Sequence, residues 1–185
     1  MSRLPEMDAA TFTADQKAIY DAIVSGPRGT VPGPLAVWLR RPGLATHAQA
    51  LGQYCRYDSS LPARLSELAI MLLGRHWLAE YEWAVHKPFA LKAGLAPEVL
   101  NAIRDGRKPD FVQRDEELVY EFVTTLHANL RIEDALYAEA ISLLGEHGVI
   151  DLVGVIGYYT LISVTIKAFE LPAAAGIAPE LPTGR

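Results

Sequence analysis

Cysteine is almost missing from this chain: Cys55 stands alone, which excludes a disulfide within the chain and any zinc site built on cysteines. Clustered positive charge is missing too. Seventeen lysines and arginines stand against 22 acids, a net charge of −5, and no stretch gathers the basic side chains that a phosphate backbone requires. Nucleic acid is therefore not an expected partner. Period-two alternation is nowhere sustained long enough for a sheet. The opening residues, MSRLPEMDAATF, lack the apolar core of a secretory signal and carry acids early. Long apolar runs are also absent. The most apolar segment is Val149–Phe169, and only fifteen residues separate Asp151 from Lys167, among them Gly154, Gly157, Ser163 and Thr165. A membrane span needs about 20 apolar residues. The segment is read as a buried core helix, with no membrane partner and a cytoplasmic location.

What is present is helical periodicity. Half of the 185 residues are hydrophobic, enough for one sizeable core. Thr13 with Gln16 fits a capping box that opens a helix with Ile19, Tyr20, Ala22 and Ile23 on its apolar face, ended by Gly26-Pro27. Residues 26–34, GPRGTVPGP, form a loop rich in proline and glycine. A helical turn follows over Pro34–Arg40, then a helix over Leu44–Tyr57. Later helices are expected over Ala96–Arg104, Asp115–His127, Glu133–Leu144 (ended by Gly145 or Gly148) and Val149–Leu171, where Pro172 stops the chain. The expectation is an all-α fold of about eight helices in one domain over residues 1–171. The tail, 172–185, has too little apolar surface to pack alone, and is expected to be extended or packed on a neighbouring subunit.

Leu61–Gly94 is the stretch around which the rest is organised. It reads as two helical segments with a break near Gly74–Trp77. The first carries Leu65, Leu68, Ala69, Leu72 and Leu73 at helical spacing, with Ser60 placed to cap it. The second opens near Ala79 and stops at Gly94. Glu67, Glu82 and His86 are out of place on such apolar helices. Glu82 and His86, four apart, share a face. Glu67 precedes His86 by nineteen residues, roughly 28 Å along one straight helix at 1.5 Å per residue. A hairpin closing near Trp77 would bring them level. Two carboxylates and an imidazole between packed helices make a proton-transfer site.

The residues Arg64-Leu-Ser-Glu67-Leu-Ala-Ile, Arg75-His-Trp77, Glu80-Tyr-Glu82-Trp-Ala-Val-His86 and Gly94-Leu95 resemble the carboxymuconolactone decarboxylase family, which also holds the AhpD-like alkylhydroperoxidases. The resemblance implies an AhpD-like helical bundle, a homo-oligomer (trimer or hexamer), and a cofactor-free lyase acting on a small carboxylated lactone or related organic acid of aromatic catabolism. His86, Glu67 and Glu82 would be its catalytic residues, and no metal or other cofactor is implied. The peroxidase branch carries a Cys-x-x-Cys pair, which would fall on Ala79 and Glu82 here. Thiol-dependent peroxide reduction is thereby disfavoured as the alternative, beside a non-catalytic helical subunit.

Substrate contacts are expected from Arg64, one turn from Glu67 and able to pair with a carboxylate bidentately. Arg56, Arg75 and the Arg40–Arg41 pair are further candidates. Trp77 and His76 at the break, and Tyr81 beside Glu82, are the expected pocket-lining residues. Tyr158 and Tyr159 are read mainly as core or subunit contacts. Removing the imidazole by His86→Asn is expected to spare the helix packing.

Overall fold

The computed structural model describes residues 2–31, 33–173 and 176–183. Among these, eight α-helices run in order: α1 (Ala14–Ser25), α2 (Gly33–Leu39), α3 (Pro42–Gln53), α4 (Ala63–His76), α5 (Glu80–Lys92), α6 (Pro97–Arg104), α7 (Arg114–Asn129) and α8 (Asp134–Phe169). No strand occurs among the described residues. The Thr13–Gln16 capping box forms as its sequence dictates, each side chain meeting the other's backbone N–H.

α4 is the axis of the molecule. Every residue from Leu65 to Gly74 is buried, because the helix is surrounded by α5, α6, α7 and α8. Such a helix hides its polar residues along with its leucines, so Ser66 and Glu67 are carried inside by position. At about 25 cal/mol per Å² of apolar area, burying Leu65, Leu68, Ile70, Met71 and Leu73 makes α4 a major contributor to the core.

α8 runs alongside α4 and shows where the apolar segment goes: Leu152, Val155, Ile156, Tyr159, Ile162 and Ile166 turn inward. Its length and composition would allow a membrane crossing, yet most of its apolar window is buried in the protein. The two helices expected over Glu133–Leu144 and Val149–Leu171 join into one run. Gly145 marks the break inside it, with φ 70° and ψ 171°, a conformation open essentially to glycine.

Two expectations are corrected. Ser60 does not cap α4, whose N-cap is Pro62. Instead its N–H and hydroxyl both donate to Asp151 Oδ2, at 2.7 and 2.6 Å, and the Tyr54 hydroxyl donates to Oδ1 at 2.7 Å. Burial alone would push the Asp151 carboxyl up, but these bonds outweigh it and hold the group below the usual carboxylate range.

The described part of the tail docks on α5 of its own chain. The backbone N–H groups of Glu180 and Leu181 both donate to the Glu80 carboxylate at 2.9 Å. Glu180 pairs with Lys87 at 2.6 Å, and Leu181 is buried in the core. Polar anchoring compensates for the tail's scarcity of apolar area.

Candidate active site

Helix α4 ends at His76 and α5 begins at Glu80, so three residues reverse the chain. Leu78 takes the left-handed conformation (φ 49°), and the Ala79 N–H donates back to the Gly74 carbonyl at 2.8 Å. The hairpin brings Glu67 on α4 level with His86 on α5. His86 Nδ1 donates to Glu67 Oε2 at 2.8 Å, while Nε2 lies 3.0 Å from Glu82 Oε1, one helical turn back. All three side chains are buried. The Tyr159 ring stands edge-on to the imidazole, 5.2 Å between centroids, and closes the inner side.

Burial disfavours a charged imidazole, but Glu82 and Glu67 together outweigh it and raise the His86 pKa to about 9. Near neutral pH both ring nitrogens therefore carry protons, one directed at each carboxylate. The result is a buried carboxylate–imidazolium–carboxylate chain.

Of the three, Glu67 lines a cleft of about 580 Å³. Arg28, Arg56, Tyr57, Phe89 and Lys92 also line it. Arg56 and Tyr57 come from a π-helical turn, Tyr54–Asp58, that continues α3. The wider turn is a common device at functional sites. The Arg56 guanidinium lies 4.6 Å over the Phe89 ring and 5.4 Å from that of Tyr57, a cation held by aromatic faces. Arg28 is 6.0 Å from the Tyr57 ring. Among the described residues, none of the three cations makes an ion pair.

Of the expected substrate contacts, Arg56 lines the cleft; the others lie elsewhere. Arg64 is committed to Glu116 and to Asp115, the latter at 2.7 Å, and does not line the cleft. Its proximity to Glu67 in sequence misleads, because the residues point to different neighbours. Arg75 donates to the Arg104 carbonyl at 2.8 Å, and Arg40 to that of Pro5. Trp77 packs against the core at the turn. His76 is exposed there and lies tilted against the His127 ring, 4.6 Å between centroids. Burial, then the neighbouring His127, lowers its pKa. Tyr81 lines a second cleft instead, with Tyr20, Val37 and Leu171. Pocket contact at the glutamate is instead made by Arg28, Tyr57, Phe89 and Lys92, which periodicity did not single out. The one local signal was an arginine inside the Gly/Pro loop.

Two solved structures share this architecture. One is described as an uncharacterized peroxidase-related protein from a Silicibacter species. It has a TM-score of 0.74 and 14% identity, covering 94% of this chain and 92% of its own. The other, from Ralstonia eutropha, is described as an alkylhydroperoxidase AhpD core, an uncharacterized peroxidase-related protein. Its TM-score is 0.75 with 16% identity, covering 94% of this chain and 93% of its own. No family model matches the sequence, and no curated protein matches it. The chain has the AhpD-like fold; these likenesses single out no carboxymuconolactone decarboxylase branch.

Proposed function

We propose that the protein is a cofactor-free acid–base enzyme acting on a small organic acid, with Glu67 as the group that exchanges a proton with substrate. The observation that carries this reading is the buried Glu67–His86–Glu82 chain ending at a cleft lined by unpaired cations. His86 has no place in the cleft lining, so it acts through Glu67: the proton on Nδ1 passes to Glu67 Oε2, and the protonated Glu67 delivers it to substrate. Glu82 keeps the imidazole charged and oriented. Arg28, Arg56 and Lys92 draw an anion into the cleft and stabilise negative charge that develops on it.

The reaction implied by the family resemblance is decarboxylation of a carboxylated lactone. The bond to the carboxylate breaks, carbon dioxide leaves, and the electron pair moves into a dienolate conjugated with the lactone carbonyl. Delivery to carbon, through Glu67, of the proton held on the His86 imidazolium completes the step. A second reading, peroxide reduction, is favoured by the descriptions of the two structural relatives. It requires a reactive thiolate and a resolving thiol. Ala79 and Glu82 stand where those would be, and burial pushes the Cys55 thiol up to about 11.

The test is turnover of small lactone acids by Glu67→Gln beside its melting curve. A drop of ~10²–10⁴-fold with the fold intact is expected. Full activity in a folded Glu67→Gln protein would remove Glu67 from the chemistry.

A further inference from the structure

Behind the cleft, two unsatisfied donors meet. Nε and Nη2 of Arg28 are buried with no hydrogen-bond partner among the described residues, and so is the hydroxyl of Tyr158. Both approach the same face of Gly52 on α3. A Cβ there would lie 2.0 Å from the Tyr158 hydroxyl and 2.7 Å from Arg28 Nη2, so the absence of a side chain creates the space they share. Tyr158 is fixed by its ring, edge-on to Trp38 at 6.2 Å and to Tyr159 at 5.2 Å. Arg28 also lines the cleft.

Leaving a buried donor unsatisfied costs about 1–3 kcal/mol, more for a charged group. A guanidinium and a hydroxyl that converge with no carboxylate beside them among the described residues are the protein half of an anion site. We propose that Arg28 and Tyr158 form a carboxylate-anchoring subsite for the organic acid. The carboxylate accepts from Arg28 and from the Tyr158 hydroxyl, and the remainder of the ligand lies along Val85, Phe89 and Tyr57 toward Glu67. The apolar lining selects an organic acid over an inorganic anion. Tyr158 belongs to the same helix as Tyr159, which abuts His86, so one helix aligns the anchor with the proton-transfer chain. The subsite rests on reading the cleft as an organic-acid site.

Benzoate binding to the full chain, by calorimetry, tests it, with phosphate at equal ionic strength as the second arm. Benzoate should bind Glu67→Gln at least as tightly as the parent, because a carboxylate beside the anion is lost, whereas Tyr158→Phe and Arg28→Gln should each weaken it about tenfold to a hundredfold. Ligand-free Tyr158→Phe should melt no lower than the parent, since the change deletes an unsatisfied hydroxyl and keeps the ring. Unchanged benzoate affinity in both variants would overturn the subsite. So would a lower melting point in ligand-free Tyr158→Phe, which would reveal a protein partner for the hydroxyl. Phosphate binding with the same dependence on Arg28 would overturn the organic-acid assignment. Because binding is read in Glu67→Gln, which is expected not to turn over, the two ideas fail separately. Normal binding in the Arg28 and Tyr158 variants removes the anchor alone; full turnover by Glu67→Gln removes the proton-transfer role alone.

Discussion

His86 holds the site together as well as serving it. Its charge neutralises two buried carboxylates, so His86→Asn would leave Glu67 and Glu82 facing each other without a cation. Breaking a buried ion pair in this way costs about 3–5 kcal/mol. The sequence alone suggested that this variant would spare the packing; the geometry reverses that expectation. A urea midpoint equal to the parent's would show the imidazolium to be energetically idle. The pH dependence follows from the same contacts. The folded pKa, about 9, lies above the ordinary imidazole value of 6.5. The stabilisation is therefore complete below about pH 6.5 and is lost as pH rises through about 9. The melting midpoint should fall between pH 7 and pH 10, and Glu82→Gln should flatten that fall. Turnover should decline over the same range as the chain loses its proton. Cys55, buried beside α8, has no part in this chemistry. Cys55→Ser should leave turnover unchanged, and a loss with the fold intact would reopen the thiol reading.

Among the elements, α4 and α5 were legible because their apolar residues recur at helical spacing around three conspicuous polar ones. Their mutual level was legible from counting alone. The break in α8 was legible for a different reason. Gly145 adopts a φ of 70° with nothing within 4 Å of a built Cβ, so its requirement is conformational rather than steric. Gly145→Ala should cost about 1–3 kcal/mol through backbone strain, measured as a shift in urea midpoint. A neutral result would mean that the segment straightens into one helix at no cost. The π-helical turn Tyr54–Asp58 escaped notice because five residues of widened helix leave no distinctive periodicity. That turn nevertheless delivers Arg56 and Tyr57 to the cleft.

At the scale of the whole molecule, two contacts decide how the surface behaves. Glu80 accepts from two tail N–H groups, bonds to a charged group worth about 1.5–3 kcal/mol each in net terms. Glu80→Ala should release the tail, seen as faster proteolysis within residues 176–183 while the core resists. Equal cleavage rates would show that Leu181 and the Lys87–Glu180 pair suffice. The second concerns α8, which leaves Ile150, Val153, Leu161 and Val164 exposed along its outer side. We propose that a further copy of the chain covers this stripe, since apolar area in a row is poorly tolerated by water. Light scattering at micromolar concentration should report an oligomer, and Val153→Lys should reduce its mass. A monomeric parent would count against self-association.

The sequence by itself determined the class of fold and the meeting of Glu67 with His86. Helical periodicity and the position of a turn are local properties, and a hairpin converts sequence distance into level. It also determined which residues were conspicuous as charges on apolar helices. Only the tertiary structure decided which cation serves the cleft. Arg64 is near Glu67 along the chain but satisfied by Asp115 and Glu116, whereas Arg28 comes from a loop between α1 and α2 and makes no ion pair among the described residues. Whether a charge is free for a ligand depends on what other elements bring beside it, and that is settled by packing across the whole chain.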